Sequence, residues 1–265
     1  MPTFDSNGPA TGVAINYIDE GQGPPVVLVH GFASSLQGNW RAPGIVDALV
    51  KAGRRVVALD CRGHGRSGKP HDPGAYAGTA MPDDVIALMD HAGVARADLI
   101  GYSMGGMIAS RLMVSHPQRL NSVILAGVGD AIVNRTGVAW SQRSAAIANA
   151  LEAADGATKG DATARGFRIF AEASGNDLAA LAAMQKSSSL RAYDGTKLSE
   201  TKLPVMVLIG EGDTLVGSGG QLAATIPGAT LVKVPGDHLT AVGAPELKTA
   251  ILGFLSRHSP IAGRA

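Results

Sequence analysis

Cysteine is nearly absent from this chain: its 265 residues hold one, Cys61. A single thiol cannot close an intrachain disulfide, so a disulfide-stapled scaffold is excluded and a reducing compartment is expected. An excess of either charge is missing too. Lys and Arg number 23 against 22 Asp and Glu, a formal net charge of +1. That balance gives no footprint for a nucleic acid and none for an anionic membrane surface. No apolar stretch approaches the roughly 20 residues that a membrane helix needs. The opening residues, MPTFDSNG, lack the basic start and apolar run of a secretory signal, so a cytoplasmic protein is expected. In that setting Asn134-Arg135-Thr136 matches the glycosylation pattern only by chance.

What is present is an ordinary globular balance, 45% hydrophobic and 17% charged, far from the composition of disordered chains. The length suits one large domain or two small ones, with a core that needs no metal or disulfide support. Short, almost continuously apolar runs recur: Val26–His30, Arg55–Asp60, Ala97–Tyr102, Asn121–Ala126, Val205–Gly210 and Thr230–Val234. Runs of this kind are strands covered on both faces of a parallel sheet. Thr11–Asp19 alternates instead and reads as an antiparallel edge strand. Helical spacing fills the intervals at Trp40–Lys51, Met81–Ala92, Gly106–His116 and Pro245–His258. Pro82 and the two aspartates after it suit a helix start. The alternation of strand and helix predicts an α/β fold with right-handed crossovers.

The stretch from Asp130 to Lys202 breaks the alternation. It is rich in Ala, has helical segments such as Trp140–Glu152 and Asp177–Gln185, and has no convincing strand. It reads as a longer crossover or as a cap over a pocket. The expected organisation is a core of residues 1–129 and 203–265 with a small helical cap at 130–202. The tail from Pro260 is expected to fray.

Gly101-Tyr102-Ser103-Met104-Gly105-Gly106 has the pattern G-x-S-x-G, and it joins an expected strand to an expected helix. A sharp turn there forces Ser103 into a strained conformation, and side chains larger than glycine at 101 and 105 would clash. The serine oxygen then stands above the carboxyl edge of the sheet, at a helix N-terminus that favours developing negative charge.

Other motifs share the neighbourhood of these strands. They are His30-Gly31-Phe32, Asp60-Cys61-Arg62-Gly63-His64-Gly65-Arg66-Ser67, Gly210-Glu211-Gly212-Asp213 and Gly236-Asp237-His238. With the Gly101–Gly106 segment, this set resembles the α/β-hydrolase family across nearly the whole chain. The resemblance implies a mostly parallel sheet of about eight strands and a Ser–acid–His triad.

A serine hydroxyl needs an adjacent base, and histidine suits that role. The family's order is Ser, acid, His. His116, His238 and His258 follow Ser103. His116 sits at a helix end and His258 in the last helix or tail. His238 lies in the loop where the family places its base. For the acid, the resemblance points to Asp213, with Asp130 as rival. Glu211 has weaker positional support, and Asp237 is expected to point elsewhere. The oxyanion hole is expected from the backbone N–H groups of Met104 and, by resemblance, Phe32. Trp40, Tyr102 and Trp140 are candidate substrate-binding residues, and Met81, Met107 and Met184 are candidate pocket walls.

Gly63–Gly68 also matches G-x-G-x-x-G. A dinucleotide site needs a helix directly after that motif, and Lys69–Gly74, with two prolines, cannot supply one. A tight loop is expected, with Arg62 and His64 in structural hydrogen bonds. His30 is expected to support the oxyanion loop. Histidines and carboxylates show no zinc spacing, and neither metal nor cofactor is expected.

The expected activity is hydrolysis of a small-molecule carboxylic ester through an acyl-enzyme. The same triad in relatives serves lactonases, carbon–carbon bond hydrolases and cofactor-free haloperoxidases. A non-enzymatic ligand receptor on this fold is the remaining reading. Serine at 103 argues against haloalkane dehalogenase and epoxide hydrolase chemistry, which use an aspartate there.

Overall fold

The computed structural model describes residues 2–6, 12–134, 137–154, 161–187 and 195–261. Eight strands form one sheet: β1 (Thr3–Asp5), β2 (Ala14–Glu20), β3 (Pro25–Val29), β4 (Arg55–Leu59), β5 (Ala97–Tyr102), β6 (Leu120–Ala126), β7 (Val205–Gly210) and β8 (Thr230–Val234). Their spatial order is β1-β2-β4-β3-β5-β6-β7-β8. β1 and β2 run antiparallel to their neighbours, and the ladder from β4 to β8 is parallel.

The continuous apolar runs of β3 to β7 are explained by burial on both faces; Thr230–Val234, read from the sequence as buried too, is the far edge strand β8, and of its residues only Val234 is buried. Val27, Val29, Val57 and Leu99 point into one core layer, while Val26, Leu28, Val56 and Ile100 point into another. The first layer is closed by α2 (Ala80–His91) and α3 (Met104–Ser115); the second by α1 (Ile45–Lys51) and α8 (Pro245–His258). A period-2 strand with both faces covered has no polar positions to show.

Two further sequence expectations need correction. At the N-terminal end of the sheet the edge strand is β1, and β2 lies one place inside it, paired with both β1 and β4. β1 is three residues long, too short for alternation to register. β2 begins at Ala14, and Thr11 lies outside the described residues. The helix expected over Trp40–Lys51 is two pieces. A wide helical turn spans Gln37–Arg41, and α1 starts at Ile45 after Gly44, whose φ of 72° belongs to the left-handed region.

Between β6 and β7 the chain makes α4 (Gly137–Glu152), α5 (Ala162–Ala173) and α6 (Leu178–Lys186). Asp161 and Asp177 cap α5 and α6 by accepting backbone N–H groups of their first turns. α4 packs on both α5 and α6. Asn176 Nδ2 donates to the carbonyl of Ala33, and His71 pairs with Asp177 at 3.0 Å, tying this insertion to loops of the core. A short helix α7 (Gly220–Thr225) follows β7. Among the described residues, no helix is long and apolar enough to cross a membrane. Of the Asn134–Thr136 motif, Arg135 and Thr136 lie outside the described residues, as do the tail residues 262–265.

Candidate active site

β5 ends at Tyr102 and α3 begins at Met104, so Ser103 makes the turn alone. Its φ of 52° and ψ of −111° are costly for a residue with a side chain. The surroundings hold it there. Ser103 N–H donates to the carbonyl of Ala126 at 2.7 Å, and Ser103 C=O accepts from Met107 N–H at 3.0 Å. A Cβ at position 101 would collide with the carbonyl of Gly105, and one at 105 with the carbonyl of Val29. Both glycines are therefore required by close backbone approach.

Three side chains from three loops meet above the sheet edge. Ser103 Oγ lies 2.8 Å from His238 Nε2, and His238 Nδ1 lies 2.7 Å from Asp213 Oδ2. Asp213 sits on the loop after β7 and His238 on the loop after β8. The second carboxylate oxygen of Asp213 accepts Leu215 N–H at 3.0 Å. A carboxylate accepts, so Nδ1 of the imidazole carries the proton and Nε2 is left to take one from Oγ. Tyr102 hydroxyl donates to the carbonyl of His238 at 2.9 Å and fixes the base loop from below.

The rival residues are engaged elsewhere. Asp130 accepts Ser218 Oγ and the N–H groups of Gln221 and Leu222 at the start of α7. Burial alone would raise its carboxyl, but these bonds, Leu222 N–H foremost, hold it below the ordinary value. Asp237 folds its own turn by accepting from Leu239 and Thr240. Glu211 is exposed. His116 contacts Ser115, and His258 packs on Phe254.

Met104 is the first residue of α3, so its N–H is among those without an intrahelical acceptor. Phe32 and Met104 border the same cavity as Ser103 and His238. The peptide before Phe32 is clamped from both ends. Gly31 N–H donates to Asn39 Oδ1 at 2.7 Å, and Gly31 C=O lies 2.7 Å from His30 Nδ1. Because Cys61 N–H donates to His30 Nε2 at 2.9 Å, the His30 proton sits on Nδ1 and is given to Gly31. Burial holds His30 below its ordinary range. Beside it, His64 is driven down to about 3, first by burial and then by its neighbour His30. Its Nδ1 faces the carbonyl of Arg62, and its ring meets the Phe32 ring edge-on at 5.9 Å. Asn39 carried no signal in the sequence, because nothing in a lone Asn shows that it reaches back across a turn.

The Gly63–Gly68 motif closes on itself through Gly63 N–H to Gly68 C=O, and no helix follows it before a short turn at Pro73–Tyr76. Arg62 forms a buried fork on Asp84, with both N···O distances 2.7 Å. Asp60 accepts from Asn16, Leu36 N–H and Arg66 N–H.

A cavity of about 80 Å³ opens over Ser103 between the sheet edge and the insertion. Trp140, Met107 and Met184 are among its walls. Three other candidates are placed differently. Trp40 is fully buried in the layer under α1 and α8, on the opposite side of the sheet. The wide turn at Gln37–Arg41 aims it inward, so it does not line the cavity. Met81 packs into the core beneath α2. Tyr102 points to the α8 side, where it supports His238 and borders a smaller hollow beside Ser103 instead of this cavity. Phe167, on α5, does line it; the Ala-rich insertion hid which of its few aromatics would face inward.

A family model described as alpha/beta hydrolase fold matches residues 24–168. A curated relative, the dihydrolipoyllysine-residue acetyltransferase component of the acetoin cleaving system of Pseudomonas putida, is 42% identical over 113 residues, 42% of this chain and 29% of that protein. The matches span less than half the length of each such curated relative. Among solved structures, a hydrolase from Pseudomonas aeruginosa PA01 is 28% identical with a TM-score of 0.77, covering 96% of this chain and 97% of that one. The enol-lactonase from Burkholderia xenovorans LB400 is 27% identical with a TM-score of 0.72, covering 96% and 100%. The elbow after β5, the sheet order and these full-length likenesses agree: the chain belongs to the alpha/beta hydrolase fold family.

Proposed function

We propose that this chain is a serine hydrolase that cleaves carboxylic esters, with Ser103, His238 and Asp213 as its catalytic triad. The observation that carries the reading is the relay of two short contacts, 2.8 Å from Ser103 Oγ to His238 Nε2 and 2.7 Å from His238 Nδ1 to Asp213 Oδ2. His238 takes the Oγ proton as Ser103 attacks the ester carbonyl. The N–H groups of Phe32 and Met104 receive the oxyanion. His238 then protonates the leaving alcohol, and the acyl group remains on Ser103. Water, deprotonated by His238, attacks the acyl-enzyme and releases the acid. Atoms balance with water as the co-substrate, and each step is carried by the side chains and backbone groups named. Helices α4–α6 serve as a cap whose walls choose the substrate. The lone, buried Cys61 suits a reducing, cytoplasmic setting.

A lactone is a cyclic ester and fits the same steps. The likeness to an enol-lactonase over essentially the full chain favours it as second reading. A panel of nitrophenyl esters, simple lactones and vinylogous diketones, assayed with wild type and Ser103→Ala, tests both. Ester or lactone turnover by wild type, reduced at least about 10⁴-fold in Ser103→Ala, supports the proposal. Equal turnover by the two proteins, or turnover of the diketones alone, contradicts it.

A further inference from the structure

The space over Ser103 is divided. The larger of the two spaces that border Ser103 runs beneath α4 and α6, with Met107, Ile147 and Met184 in its apolar walls. A smaller hollow, about 30 Å³, reaches Ser103 from the loop after β3, enclosed by Gly31, Asn39, Tyr102, Phe170 and Leu239. An outer cleft reaches His238 past Gly212, Thr214 and Leu239 without bordering Ser103. Two residues border all three spaces: His238 and Phe167.

Phe167 projects from α5 and meets Phe32 edge-to-face, with ring centroids 5.6 Å apart and planes at 68°. Phe32 is backed in turn by the buried ring of His64. The wall between the larger cavity and the small hollow is therefore an aromatic pair with one half anchored in the core and the other borne by the insertion. A tetrahedral carbon on Ser103 has its oxyanion in the N–H pair, and its other two substituents diverge and need separate space. The two unequal chambers beside Ser103 supply that space.

We infer that Phe167 is a specificity-determining partition, which admits a bulky apolar group on one side of the ester and confines the other side to a small group. This rests on the ester-hydrolase reading above. The substrate class is then an asymmetric ester. Each methylene that finds an apolar wall is worth about fourfold in binding, so chain length read separately on each side maps the chambers.

The test uses two series on the whole protein: nitrophenyl esters of lengthening acids, and hexanoate esters of lengthening alcohols. In wild type, one series holds or rises in kcat/KM with length while the other falls. Phe167→Ala raises the long-to-short ratio in the falling series by about tenfold or more, with the other series keeping its slope. Phe167→Leu gives an intermediate ratio and covers the case in which Phe167→Ala does not fold. Ratios in a folded variant that coincide with wild type overturn the partition, as do two wild-type series with the same length dependence. If wild type cleaves no ester and Ser103 resists a fluorophosphonate, the ester-hydrolase reading fails first and the partition falls with it. Ester turnover with unchanged ratios condemns the partition alone.

Discussion

Acid should weaken this protein through His64 well above the pH at which an ordinary carboxylate is protonated. In the folded chain His64 has no exposure, its Nε2 lacks a partner among the described residues, and its imidazole titrates at about 3. Released into water it returns to its ordinary value of 6.5. The folded pKa is thus the lower one, and the unfolded chain binds the extra proton. Stability from this group is complete above pH 6.5 and is lost as pH falls from there towards 3. Between pH 7 and pH 5 the loss from His64 alone is about 2 kcal/mol. His30, also held down by burial, adds in the same direction. Urea unfolding of wild type and His64→Gln, at pH 7 and pH 5, isolates the effect, because Gln keeps a polar group but cannot titrate. The variant should be less stable at pH 7, where the fitted imidazole is lost. It should also lose about 2 kcal/mol less than wild type on going to pH 5. Equal losses for the two proteins would refute the account of a neutral, buried His64.

Asp213→Asn should lower kcat for an ester by about 10⁴, whereas Asp130→Asn should leave kcat within a few-fold and lower only the melting temperature, since Asp130 serves the start of α7. Steady-state kinetics on the two variants settles which carboxylate orients His238. Gly105→Ala places a methyl group against the Val29 carbonyl. It should cost at least about 2 kcal/mol in chemical unfolding and abolish activity with it.

The parallel sheet was legible because its inner strands are buried on both faces, which leaves uninterrupted apolar runs such as Val26–Val29 and Ile100 with its neighbours. The Ser103 turn was legible because backbone crowding demands glycine at 101 and 105. Asp213 and His238 could be proposed from the sequence because each follows its own strand at a place where the resemblance to the α/β-hydrolase family puts the acid and the base. Other features depend on packing that no local pattern encodes. Trp40 faces the α8 layer because a wide helical turn and Gly44 redirect the chain before α1. Asn39 acquires its role only when that turn brings its amide to Gly31. Phe167 sits in a helix whose Ala-rich sequence gives a clear inner face but no sign of which chamber that face meets. Asp130 was a fair rival by position after β6; only the fold shows its carboxylate already spent on α7.

The central claim is that Ser103 is a nucleophile activated by His238. The most direct measurement is intact-mass analysis of the protein after treatment with a fluorophosphonate, followed by peptide mapping. The account predicts a single adduct on the peptide containing Ser103, formed far more slowly in His238→Ala and absent from Ser103→Ala. An unmodified Ser103, or labelling that proceeds at the wild-type rate without His238, would contradict it.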